Sequence, residues 1–265
     1  MKKAVSISNI LYDIPAVITQ PQGEKLPFVI MCHGTGSDKN EVGNMYADLA
    51  DLLAERGIAS ARFDFAGCGD SSDSGINQTF MNEVSDTVKI YDYICGLENT
   101  DREKIAVIGF SQGGRVMAQF LDTHHDKIAA AVSWSGACHN GIGVFQGWFD
   151  LLYPQAQRKG WAGIPMDWRE PMIIPLGWFE DIKNTNPLDA LKKFKGELLV
   201  MAGAKDELVP CSHANEIAAT NEKSLCITYD DADHTFNVLS DDKSIAQDAL
   251  LTTADWLYER LCGEK

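Results

Sequence analysis

Ile105-Ala106-Val107-Ile108-Gly109-Phe110-Ser111-Gln112-Gly113-Gly114 is an apolar run that passes through a glycine-rich bend into a stretch of helical character over 115–121. A strand entering a helix through G-x-S-x-G forces the middle residue into a strained turn and lifts its hydroxyl above the end of the sheet. Ser111 is that residue. Glycine stands at each second neighbour because a side chain there would collide with the adjoining strand or helix. The helix also turns its N-terminal amides and the positive end of its dipole toward whatever Ser111 attacks. A glycine-rich loop with an incidental serine is the alternative reading; the strand before and the helix after favour a nucleophile.

Around this bend, strands and helices alternate. Residues 4–10 and 14–19 form short β-branched segments suited to an antiparallel hairpin. Residues 28–32 are a continuous apolar run, as in a strand buried on both faces, ending in His33-Gly34-Thr35-Gly36-Ser37. Residues 42–56 predict an amphipathic helix carrying Met45, Leu49, Leu52 and Leu53, stopped by Gly57. A strand over 58–65, a helix with Val84, Val88, Tyr91 and Cys95 on one face, and a strand over 129–134 continue the pattern. Such alternation implies βαβ units and a mostly parallel sheet with helices on both faces. From about 136 to 195 the pattern breaks into an aromatic segment punctuated by prolines, which reads as an inserted cap or lid. The expected organisation is therefore a core of residues 1–135 and 196–265 with an insert over 136–195. Alternation returns with a strand over 198–201, a helix over 212–219, a strand over 225–229 and a last helix over about 240–261.

A serine hydroxyl is a poor nucleophile until a base removes its proton, and the base needs an anionic partner to fix its tautomer. Of six histidines, His234 alone follows a late strand and precedes a helix; His33 comes before the serine, His124, His125 and His213 lie on helices, and His139 opens the insert. His234 is the candidate base, against the reading of an exposed loop histidine. Asp206, in Gly203-Ala204-Lys205-Asp206-Glu207, follows the preceding strand and is the candidate partner. Solvation of the loop and helix capping are its rival roles, and Glu207 is the fallback. Asp230, Asp231 and Asp233 are close neighbours that rarely reach back to the far ring nitrogen.

The order Ser111, Asp206, His234 with the bend G-F-S-Q-G-G resembles the α/β-hydrolase family over nearly the whole chain. The resemblance implies an α/β-hydrolase fold with an oxyanion hole made by the backbone amides of Thr35 and Gln112, and with His33 bracing its loop. The segment Asp64-Phe65-Ala66-Gly67-Cys68-Gly69-Asp70-Ser71 resembles the D-x-x-G-x-G-x-S turn of members with short caps. As a dinucleotide fingerprint it lacks the third glycine, where Ser72 stands. Within the family the chain looks most like small bacterial carboxylesterases of the cinnamoyl and feruloyl esterase type. It departs from them at Phe110, Thr35-Gly36 and Asp231. The resemblance implies an ester hydrolase working through an acyl enzyme without a cofactor. A thioesterase, a small peptidase of the prolyl oligopeptidase kind and a non-catalytic binding module are the alternatives.

Five of six tryptophans fall between 134 and 178. They build either a small core for the insert or an aromatic pocket wall, and Trp168 and Trp178 are expected to touch an apolar or aromatic acyl group. With 23 basic and 38 acidic residues the net charge is −15, which repels phosphate backbones and anionic lipid, so neither nucleic acid nor a membrane is an expected partner. Seven scattered cysteines without C-x-x-C spacing suit thiols in a reducing compartment. Met1-Lys2-Lys3 leads into a polar stretch, so the expectation is no signal peptide and a cytoplasmic protein. Neither the histidines nor Asp230, Asp231 and Asp233 have metal-ligand spacing, and no metal is expected.

Overall fold

The structure is a computed structural model that describes residues 1–138, 142–165 and 170–263. The chain opens with an antiparallel hairpin of β1 (Lys2–Ser8) and β2 (Asp13–Thr19). It continues through β3 (Leu26–Cys32), α1 (Met45–Glu55), β4 (Ala59–Phe63), α2 (Phe80–Cys95), β5 (Thr100–Phe110), α3 (Gln112–His124) and β6 (Ala130–Trp134). The span 136–195, expected as an insert, holds α4 (Ile142–Leu151), α5 (Tyr153–Lys159), the antiparallel pair β7 (Trp161–Ile164) and β8 (Met172–Pro175), α6 (Leu176–Asn184) and α7 (Pro187–Leu191). Then follow β9 (Glu197–Gly203), α8 (Ser212–Ala218), β10 (Ser224–Tyr229) and α9 (Ser244–Leu261).

Eight strands form one sheet in the order β1-β2-β4-β3-β5-β6-β9-β10. Pairing is antiparallel at β1-β2 and β2-β4 and parallel from β4 through β10. The apolar runs of β3 and β5 are long because both faces are covered. Phe28, Ile30 and Cys32 pack in one core with residues of α2, α3 and α8, whereas Val29 and Met31 pack in a second with α1 and α9. This is the α/β-hydrolase fold, an eight-stranded and mostly parallel sheet with helices on both faces.

Three expectations shift at their edges. The helix expected over 42–56 begins as a separate 3-10 turn, Val42–Asn44, because Glu41, Gly43 and Asn44 all take positive φ and break the α geometry before Met45. The strand expected over 58–65 ends at Phe63, and the last helix starts at Ser244, after a run of turns. On α2 the buried face includes Glu83, Asp86 and Thr87, whereas Val88, Tyr91 and Cys95 are only half-buried. The insert, expected to be irregular, is largely helical. Its elements are too short to show a clear period, and Pro154 and Pro187 sit in the first turns of α5 and α7, where a missing N–H costs nothing. Of these, α6 packs on α2, and α7 on α3 and α8. Among the described residues no disulfide forms, and no helix is long and apolar enough to cross a membrane.

Candidate active site

The bend at the end of β5 places Ser111 at φ 53° and ψ −118°, outside the ordinary regions for an L residue. Such a conformation costs about 1–3 kcal/mol and persists only where its surroundings hold it. Here the Ser111 N–H donates to Trp134 O at 2.9 Å, and its carbonyl accepts from Gly114 and Ala137, each at 3.0 Å. A Cβ on Gly109 would lie 2.1 Å from Gly113 O, and one on Gly113 would lie 2.0 Å from Cys32 O, so the bend closes only with glycine at both. Gln112 is the first residue of α3, and its backbone N–H therefore has no acceptor within the helix.

Two loops at the same end of the sheet bring His234 and Asp206 together. The His234 loop is knit by Asp233 Oδ1, which accepts from the N–H groups of Thr235 and Asn237, and by Asn237 Oδ1, which accepts from Asp233 N–H. It lies directly on the end of β9: a Cβ on Gly203 would come within 2.3 Å of Ala232 O. Ser135 Oγ donates to His234 O at 2.9 Å and ties the loop to the end of β6. His234 Nδ1 sits 2.7 Å from Asp206 Oδ2, and because a carboxylate only accepts, the ring donates from Nδ1 and leaves Nε2 with a lone pair. Asp206 Oδ1 accepts from Leu208 and Val209 N–H, both at 2.8 Å. Glu207 is exposed, and Asp231 instead pairs with Lys205 on the surface.

Opposite the bend, Gly34 and Thr35 follow β3. A Cβ on Gly34 would lie 3.3 Å from Ser111 Cβ, so this loop runs against the serine. His33 donates from Nδ1 to Gly34 O at 2.8 Å and accepts from Phe65 N–H at Nε2 at 3.1 Å. Both ring nitrogens are engaged, which removes His33 as a base. Glu41, buried at φ 64°, takes Gly34 N–H on one oxygen and Ser37 Oγ and Val42 N–H on the other. Nothing in the residue pattern singles out Glu41, since an acid in a polar loop is ordinarily solvated. The Asp64 turn is a brace between loops: its carboxylate accepts from Lys39 N–H, Lys39 Nζ and Asp70 N–H.

A cavity of about 950 Å³ opens over Thr35, Ser111 and His234. Phe110, Trp148, Ile164 and Leu208 supply apolar wall, and the Phe110 ring lies 5.1 Å from that of His234. Trp178 is not among the lining residues. It is 2% exposed and packs with Phe145, Trp148 and Phe179, and of these four rings it is Trp148 that reaches the wall. Trp168 lies outside the described residues. Among the described residues no cluster of histidine, cysteine and carboxylate side chains could hold a metal ion.

A family model described as the alpha/beta hydrolase fold matches residues 27–163. No curated protein matches the sequence. Among solved structures, Est1E from Butyrivibrio proteoclasticus with ferulic acid bound is similar at 19% identity and a TM-score of 0.76, covering 97% of this chain and 99% of that one. A putative hydrolase from Agrobacterium vitis S4 is 17% identical with a TM-score of 0.78, covering 98% and 99%. The esterase domain of a Rhodothermus marinus protein is 19% identical with a TM-score of 0.74, covering 98% and 99%. These likenesses are of fold.

Proposed function

Because the chain belongs to the α/β-hydrolase fold family, we propose that it is a serine hydrolase of carboxylic esters, with Ser111 as nucleophile, His234 as base and Asp206 as its partner. The observation that carries this reading is the His234–Asp206 hydrogen bond, made by a histidine that opens with Ser111 onto one apolar-walled cavity. His234 Nε2 takes the Ser111 proton as Oγ attacks the ester carbonyl, and Asp206 stabilises the imidazolium that results. The amides of Thr35 and Gln112 hold the oxyanion, where fixed donors act most strongly on charge that develops only in the transition state. The imidazolium returns its proton to the leaving alcohol, and water then releases the acyl group by the same steps in reverse.

The finer reading is an esterase of cinnamoyl or feruloyl type. Phe110 and Trp148 offer flat apolar surface for an aromatic acyl group, and a structural neighbour holds ferulic acid. The test combines a fluorophosphonate probe with a panel of nitrophenyl esters of increasing chain length and methyl hydroxycinnamates. Ser111 should be labelled, Ser111→Ala should abolish labelling, and hydroxycinnamates should turn over. Labelling without turnover of any ester would turn the reading toward thioesters or peptides; no labelling would leave a binding protein.

A further inference from the structure

Directly beneath the bend, α2 buries a carboxyl group that the proposed chemistry does not use. Glu83 is 3% exposed, and its Oε2 accepts from Gln112 Nε2 at 3.2 Å. Gln112 is the residue whose backbone amide belongs to the proposed oxyanion hole, so this side-chain contact holds the first residue of α3 from below. Gln78 completes the cluster: its amide acts on the same carboxyl, favouring its charged form, and its Nε2 lies 3.4 Å from Cys68 Sγ. Both amide oxygens, Gln78 Oε1 and Gln112 Oε1, are buried without a hydrogen-bond donor among the described residues.

A carboxylate can only accept, and so gives neither amide oxygen anything. A protonated carboxyl supplies one O–H, a kind of donor this cluster is short of, and leaves the other carboxyl oxygen to accept. We propose, on the serine-hydrolase reading above, that Glu83 is a positioning residue that holds Gln112 as an uncharged acid, and that losing its proton weakens hydrolysis. The amide N–H groups of Gln112 and Gln78 favour the anion, and the other groups that face the carboxyl oppose it. Asp86 on α2 and Asp181 on α6 are acidic neighbours that oppose a second charge, while the Cys32 thiol on β3 and the Tyr12 phenol, both pushed up by burial, bring no positive charge to offset it. Burial, the largest influence, pushes the carboxyl up to about 8, beyond what its place in the first turn of a helix returns. An anion at Glu83 would stand one side chain below the developing oxyanion; at an effective dielectric of about 20, such a charge slows the step by about tenfold.

The experiment is the pH profile of kcat/KM for a nitrophenyl ester, measured on the wild type and on Glu83→Gln from about pH 6 to about pH 10. The wild type should lose about tenfold on the alkaline side as Glu83 ionises, and Glu83→Gln, which keeps the shape but cannot ionise, should hold its plateau. An alkaline limb that persists unchanged in Glu83→Gln, or a wild type without one, overturns the proposal. Fluorophosphonate labelling of Ser111 in the same samples separates the two levels: labelled enzyme with superimposable profiles sinks only the role of Glu83, whereas unlabelled and inactive wild type removes the hydrolase reading and this proposal with it. Should Glu83→Gln fail to fold, infrared difference spectra of the wild type carry the test. A protonated-carboxyl band must vanish in step with kcat/KM, and activity lost over a different pH range than the band overturns the proposal.

Discussion

Asp206 divides its two oxygens between different tasks: Oδ1 takes two backbone N–H groups of its own loop, and Oδ2 takes the His234 ring. That division makes Asp206→Asn informative. The asparagine must keep its oxygen on Leu208 and Val209 N–H and turn its NH₂ toward His234 Nδ1, which drives the ring proton to Nε2. On the serine-hydrolase reading, His234 can then no longer take the Ser111 proton although the loops stay in place, and kcat should fall by about 10⁴ with KM little changed. Steady-state kinetics beside an unchanged circular dichroism spectrum checks this; retention of more than a tenth of kcat would show that the tautomer does not matter. The pairing itself was legible in the residue order, since the two side chains follow successive strands of a parallel sheet and so emerge at the same end. The engagement of Glu41 was not, because its role depends on Gly34 lying next to it, seven residues away.

At the level of elements, the insert packs its aromatic side chains into a core of their own. Phe149, Tyr153, Phe179, Trp178, Trp148 and Phe145 touch in sequence across α4, α5 and α6. It is joined to α2 and α3 by Arg115, which is fully buried and donates to Ile182 O at 3.3 Å and Thr185 Oγ1 at 3.2 Å, and by Asp181, which accepts Met81 N–H at 2.9 Å at the start of α2. Replacing tryptophans on the two sides of this core should separate packing from recognition. Trp178→Ala should cost about 3–5 kcal/mol in urea unfolding, while Trp148→Ala, at the cavity wall, should change the ratio of kcat/KM between hydroxycinnamate and short acyl esters. Equal effects of both on that ratio would mean that the wall is set elsewhere. Aromatic composition thus announced that the insert has a core, but which ring faces the cavity depends on how α4 sits against α6, a relation that no local periodicity encodes.

For the molecule as a whole, the buried acids of α2 set a pH dependence opposite to that of most carboxyl groups. Burial pushes Glu83 up to about 8 and Asp86 up to about 7, while surface partners hold Asp70 and Asp231 below the usual carboxylate range. A carboxyl that titrates higher folded than unfolded binds its proton more tightly in the fold. Its stabilisation is complete below the unfolded value and is lost as pH rises through about 7 and 8. Thermal unfolding should therefore show Tm falling from mildly acidic to mildly alkaline pH, and Glu83→Gln should gain on the wild type progressively across that interval. Parallel Tm curves for the two proteins would show that Glu83 binds its proton no more tightly folded than unfolded.

The parallel sheet, the glycine bend and the order of its chemical groups were all readable from the chain, because strand burial, backbone sterics at Gly109 and Gly113, and turn chemistry act between near neighbours. The braces beneath those groups were not. Glu83, Asp86 and Arg115 look like ordinary surface residues of amphipathic helices; burial came to Glu83 and Arg115 when α2 and α3 packed against the sheet and α6, and to Asp86 beneath Asn9 and Tyr12 of the opening hairpin. A charged side chain pays for leaving water according to what finally surrounds it, and those surroundings are assembled from segments far apart in the chain.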